Sequence, residues 1–213
     1  MIFEIILIIY FGLIFFVYRN FYISKGLYIN NIFYKNKIIT PQFKKTIEIA
    51  LSYYPSLKKT KIQFLVMKWK WFHSSALPNP LTIFLPKKWR SYIIIISDET
   101  KKELEHGLLK NLPEKLQIGI LGHELAHIVD YENKSFFQVI QILWRYLIPS
   151  KRKKFENSID ILAIKHGIGY YLHGFYTYLI KKNPHHTKNF MENYLSDEDI
   201  KKLTKELTGK EIN

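Results

Sequence analysis

The stretch that leaves this chain least freedom is Gly122-His123-Glu124-Leu125-Ala126-His127, set in the run Pro113-Glu114-Lys115-Leu116-Gln117-Ile118-Gly119-Ile120-Leu121. Leu116, Ile120, Leu121, Leu125 and Ile128 recur at helical spacings, so one face of this helix belongs in a core. A histidine four residues after another stands one turn further along the same face. Both imidazoles can then reach a single cation, with Glu124 lying beside its open position. The fold must bury this helix and still keep room for an ion against it.

By chance alone, a His-Glu-x-x-His string would arise in roughly two chains in a hundred of this composition, so other residues must decide its meaning. The segment Phe155-Glu156-Asn157-Ser158-Ile159-Asp160-Ile161-Leu162-Ala163-Ile164-Lys165-His166-Gly167 reads as another helix, closed by glycine, with Glu156 and Asp160 one turn apart. Glu156 follows His127 by 29 residues, enough chain to turn back and present a third ligand. Two histidines and one carboxylate leave the fourth tetrahedral position of a zinc ion to water, the catalytic rather than the structural arrangement.

His123-Glu124-x-x-His127, followed by Glu156-x-x-x-Asp160 with Ala163 and Gly167 beyond, resembles the gluzincin metallopeptidases, and within them the membrane-associated branch that includes the CAAX prenyl endopeptidases and the heat-shock membrane proteases. The resemblance covers roughly residues 113 to 169. It implies Zn2+ held by His123, His127 and Glu156, Glu124 as general base, and Asp160 as an outer carboxylate orienting a histidine ligand, His123 by preference. The chain departs from that branch at Ile159, where alanine is usual, and in having far fewer apolar spans.

The chemistry expected is attack of an activated water on a peptide carbonyl, with Glu124 taking the proton and returning one to the leaving amine. A donor for the developing oxyanion is also expected. Tyr170, Tyr171, His166 and His173 are near enough in sequence to supply it, although for each a half-buried packing role is the commoner one. The chain has no cysteine, which excludes disulfides, thiolate ligands and the deformylase-like use of the same histidine motif.

A chain of 213 residues, 47% of them hydrophobic, has material for one good-sized core. The formal charge of +14 raises the question of a nucleic-acid partner, but the lysines are spread along the chain rather than gathered in an arm, and none is expected. The densest run, Lys151-Arg152-Lys153-Lys154, is expected to be a solvated approach to the Glu156 helix or a contact with acidic head groups.

Residues 2–18 are nearly all apolar, interrupted by Glu4 and Gly12, and are long enough for a short transmembrane helix in contact with membrane lipid. Arg19, Lys25, Lys35 and Lys37 follow it, which by the positive-inside tendency places the catalytic part on the cytoplasmic side of a cell membrane. Residues 1–18 are thus expected to be an anchor, 19–39 a juxtamembrane connector and 40–213 the folded domain. Thr40-Pro41 opens a helix whose face is Phe43, Ile47, Ala50, Leu51 and Tyr54, ending at Pro55.

Lys61 to Met67, Thr82 to Leu85 and Ser91 to Ser97 read as strands, and Ser74-Ser75-Ala76-Leu77-Pro78-Asn79-Pro80 as a loop. The run Ile93 to Ile96 has no polar alternation and should be covered on both faces. Residues 136–148 are too few to span a bilayer and too apolar for water, so burial is expected, with an interfacial position as the alternative. Tyr170 to Lys182 continues as helix, and Ser196 caps a last one that runs to Gly209.

The expectation is therefore an α+β, mostly helical zincin-like domain with a small sheet, preceded by one transmembrane helix. The resemblance implies an edge strand that borders the cleft, to which an extended polypeptide substrate adds as a further strand; the alternative is a sheet that only backs the helices. Three functions compete: a membrane-tethered zinc endopeptidase, a non-catalytic peptide- or partner-binding protein of the same fold, and an interfacial structural protein.

Overall fold

The computed structural model describes residues 12, 27–29, 35–68, 73–182, 184 and 191–212. The elements run β1 (Leu27–Ile29), β2 (Lys37–Ile39), α1 (Lys44–Ser52), β3 (Lys61–Lys68), β4 (Ser74–Pro78), β5 (Ser91–Glu99), α2 (Glu114–Glu132), α3 (Phe136–Leu147), α4 (Pro149–Lys165), α5 (Gly169–Lys182) and α6 (Asp197–Thr208). The architecture is α+β and mostly helical, as expected. The expected anchor at 1–18 lies outside the described residues, apart from Gly12. Among the described residues no helix is long and apolar enough to cross a membrane.

The sheet has the order β1-β2-β3-β5-β4, with β2, β3 and β5 parallel and the two edge strands antiparallel. Ile93 to Ile96 form its centre and are all buried. Ile94 and Ile96 face the main core under the helices, whereas Ile93 and Ile95 join Leu65 and Met67 on the opposite face, so both faces are covered. Strands β3 and β5 are close to their expected bounds.

Three expectations are corrected here. The segment Ser74 to Pro80 is not all loop, because its first five residues form edge strand β4, where Pro78 is tolerated at the last position. Thr82 to Leu85 is not a strand. Asn79 organises it as turns, its side chain accepting from Leu81 N at 3.0 Å and its carbonyl from the amides of Thr82 and Ile83. Finally, the stretch expected as connector contributes β1 and β2 to the sheet. Lys37, counted among the flanking charges, is fully buried there, its Nζ donating to the carbonyls of Lys35, Leu57, Lys58 and Thr60. Burial lowers its pKa to about 8.

Helix α2 is the axis of the helical layer, packed against α1, α4, α5 and β4. Two glycines allow this closeness. A Cβ at Gly119 would meet the Tyr171 carbonyl oxygen at 2.4 Å, and one at Gly122 would meet Ile168 at 2.8 Å. Tyr54, at the end of the α1 segment, donates its hydroxyl to Gly122 O at 2.5 Å and locks the helix from the other side. The α1 face is buried as expected, through Phe43, Ile47, Ala50, Leu51 and Tyr54. Helix α4 starts earlier than expected, at Pro149, so the basic run 151–154 is part of its first turns, and Gly167 takes a positive φ of 88° just past its end. Among the described side chains of helix α3, Val139 and Ile142 are buried, while Phe137 is 76% exposed. Ser196 accepts from Asp199 N at the start of α6, and Gly209 closes it in the left-handed region.

Candidate metal centre

Along α2 the buried residues run from Ile118 to Val129 without interruption, and both histidines and Glu124 are among them. Helix α4 brings Glu156 and Asp160 to the same place from the other side, each at most 4% exposed. The Nε2 atoms of His123 and His127 are 3.2 Å apart, and Oε2 of Glu156 is 3.3 Å from the first and 3.4 Å from the second. A nearly equilateral triangle of donors results.

Its size is informative. A tetrahedral ion with bonds of about 2.0 to 2.1 Å has ligand-to-ligand edges of about 3.3 Å. Its polarity is equally so. His123 Nδ1 lies 2.9 Å from Asp160 Oδ1, which assigns the ring proton to Nδ1 and turns the Nε2 lone pair toward the triangle. Glu156 Oε2 is buried and receives no hydrogen bond among the described residues. Lone pairs converging in a dry place repel one another unless a cation lies between them, so the residues present fit a divalent metal. His123, His127 and Glu156 are the one group among the described residues with donor atoms this close.

The surrounding groups fasten the triangle. Asp160 is fully buried and accepts three bonds: from His123, from Tyr176 OH at 2.8 Å and from Leu195 N at 3.0 Å. Tyr146 OH donates to Glu156 Oε1 at 2.7 Å, leaving the other oxygen for the centre. Burial alone would depress the His123 pKa, but the hydrogen bond to Asp160 and the charges of Asp160 and Glu156 outweigh it and hold the ring well above the ordinary histidine value. Burial would likewise raise Glu156, yet the two histidines keep it far below the usual carboxylate range. Tyr146, Tyr176 and Tyr194 are pushed well up, first by burial and then by the nearby carboxylates, so they stay neutral donors.

Glu124 shares with His123 the wall of a small cavity of about 40 Å³, lined also by His73, Ser74, Ile120, Leu172, Phe175, Tyr176 and Tyr194. That volume holds a few waters at roughly 10 to 15 Å³ each. Ser74, the first residue of β4, donates to Glu124 Oε1 at 2.6 Å. The β4–β5 register, with Ser97 N on His73 O and Asn79 N on Ser91 O, turns the backbone of Ser74 and Ala76 away from β5. Tyr131 OH donates to Ala76 O at 3.2 Å, so that outer edge is already capped at its middle.

The structure brings His123, Glu124, His127, Glu156 and Asp160 together. The four suggested oxyanion donors lie elsewhere. Tyr170 is 52% exposed, Tyr171 pairs with Tyr53, His166 bonds the Tyr53 carbonyl, and His173 is 2.5 Å from Asp197. The residues at the cavity that sequence reasoning missed are His73, Ser74, Tyr176 and Tyr194. Tyr176 shared a legible pattern, since Leu172, Phe175, Tyr176 and Leu179 form the buried stripe of α5. Ser74 offered no local signal. Compared with models of known families, with curated proteins and with solved structures, the chain finds no match.

Proposed function

We propose that this chain is a zinc-dependent endopeptidase with a zincin-like catalytic domain, tethered to a cell membrane by residues 2–18 with that domain on the cytoplasmic side. The observation that carries the reading is the donor triangle of His123, His127 and Glu156, with edges of 3.2 to 3.4 Å and the Glu124 carboxylate beside it. When bound, zinc would polarise a carbonyl and bring the pKa of water down to about 7. The rest of the task falls to the chain itself. Glu124 accepts the proton released as water attacks and delivers one to the leaving nitrogen. Ser74 holds Glu124 through one oxygen and leaves the other to act. Asp160, tied to Tyr176 and Leu195, keeps the His123 ring turned toward the centre.

The cavity admits a reacting group rather than a whole peptide, so the polypeptide lies outside it along the Ser74 end of β4. The test is metal analysis of the purified full chain together with Glu124→Gln. Near-equimolar zinc in both proteins, with cleavage of a casein-like substrate in the wild type alone, is the expected result. Zinc retained with no cleavage by either protein across a broad peptide library would replace the hydrolase by a binding protein.

A further inference from the structure

We infer that the loop between β4 and β5, together with the start of α3, is a docking surface for the face of an anionic lipid bilayer. It includes no residue of 2–18 and does not depend on the hydrolase reading. From Phe84 to Trp89 every residue is exposed. Leu81 is 55% exposed, Phe84 56%, Leu85 38%, Trp89 52% and Phe137 76%, which makes them five of the large apolar side chains that the fold turns outward. Phe84 and Phe137 are joined through Phe136, whose ring lies 4.7 Å from the first and 5.4 Å from the second, and Leu81, Leu85 and Trp89 stand on the same short loop as Phe84. Together they present roughly 500 Å² of apolar surface, the size at which such patches act as contact sites.

The loop is built to keep this exposure. Ile83 is buried and pins it to the core, and Arg90, itself buried, donates from Nε to Leu85 O at 3.0 Å and from Nη1 to Lys134 O at 2.9 Å. The apolar residues therefore cannot relieve themselves by folding inward without breaking these bonds. Their surroundings name the occupant. Lys87 and Lys88 stand exposed within the patch, with Lys88 Nζ 4.9 Å from the Trp89 ring, and Arg145 is exposed further along α3. Aromatic and leucine side chains mixed with lysines suit the boundary between acyl chains and acidic head groups, where tryptophan settles and each lysine adds attraction. A protein partner would be expected to meet the patch with a complementary apolar face instead.

The cysteine-free chain allows a direct test. Single cysteines are introduced in the full chain at exposed positions, Leu81→Cys and Phe137→Cys, with Tyr170→Cys and Leu207→Cys as distant controls, and each is labelled with a polarity-sensitive fluorophore. Each labelled chain is bound to vesicles of phosphatidylcholine with phosphatidylserine, with its thermal midpoint checked against the wild type. The expected result is blue-shifted emission, quenched by acyl-chain nitroxides, at 81 and 137, and water-like emission at 170 and 207. The response falls several-fold when phosphatidylserine is omitted or when Lys87→Glu and Lys88→Glu are combined. Water-like emission at all four positions on vesicle-bound chain overturns the proposal. So does a shift at 81 and 137 that appears without lipid as protein concentration rises, which would assign the patch to a second copy. A response indifferent to phosphatidylserine and to the two lysines overturns the anionic specificity.

Discussion

The two sides of the candidate centre are built to different standards. Its floor, on α2 and α4, is over-determined: Asp160 takes three donors, Glu156 is held by Tyr146, and both carboxylates are buried. Its rim, on β4, meets Glu124 through one hydroxyl on a half-buried edge strand. On the proposed reading, the floor fixes atoms that must not move, whereas the rim holds a carboxylate that would have to exchange partners as it accepts and returns a proton. A rigid clamp on Glu124 would defeat that use.

Several measurements would break or sharpen this contrast. The largest effect is expected from His123→Ala or Glu156→Ala, which remove a corner of the triangle: bound zinc and peptide cleavage should disappear together, read by metal analysis and a protease assay. Glu124→Gln should lower kcat by about 10² to 10⁴ with zinc content unchanged. If zinc left with Glu124, the division between floor and rim would be wrong.

Asp160→Asn should weaken zinc by about 10- to 100-fold, since the ring it orients loses its partner. The same variant carries a pH signature. Metal must displace the proton from His123, whose pKa is raised, so zinc affinity should fall as pH drops through a midpoint above the ordinary histidine range. Asp160→Asn removes the negative charge that raises it, and the midpoint should move to lower pH. A titration of zinc affinity between pH 5.5 and 8.5 checks the sign.

The smallest effect is expected at Ser74→Ala: a loss of about tenfold in kcat, in line with one hydrogen bond to a charged group, with zinc affinity intact and Ser74→Thr restoring most of the rate. Loss of zinc in Ser74→Ala would make the rim part of the floor.

The same contrast explains what could be read in advance. The floor was legible because each helix announces itself locally: His123, His127, Glu156 and Asp160 sit at one-turn spacings, with apolar periodicity and caps around them. The rim was not, because strand pairing is not local. Ser74-Ser75-Ala76-Leu77-Pro78 has turn-like composition and becomes β4 only through its register with Ile93 to Ile96. Thr82 to Leu85 shows the reverse error, a strand-prone run of Thr, Ile, Phe and Leu that one buried Ile83 and an Asn79 turn convert into surface. Lys37 looked like a flanking charge, yet three carbonyls of the distant turn Leu57 to Thr60, with that of nearby Lys35, take it inside. Tyr170, Tyr171 and His173 neighbour the buried stripe of α5 without belonging to it, while Tyr176 does belong.

Strand β4 has a consequence of its own, because it is a spacer of fixed length. Ser74 stands beside Glu124 at one end, and the aromatic loop begins just past Pro78 at the other, about 13 Å away at the usual rise of about 3.3 Å per residue. Anything gripped at the loop end is presented to Glu124 at a set reach. An extended polypeptide rising from that surface would run for about four residues before its backbone came level with the carboxylate, so cleavage would be gauged by distance from an anchor point rather than by the identity of the side chains passing through.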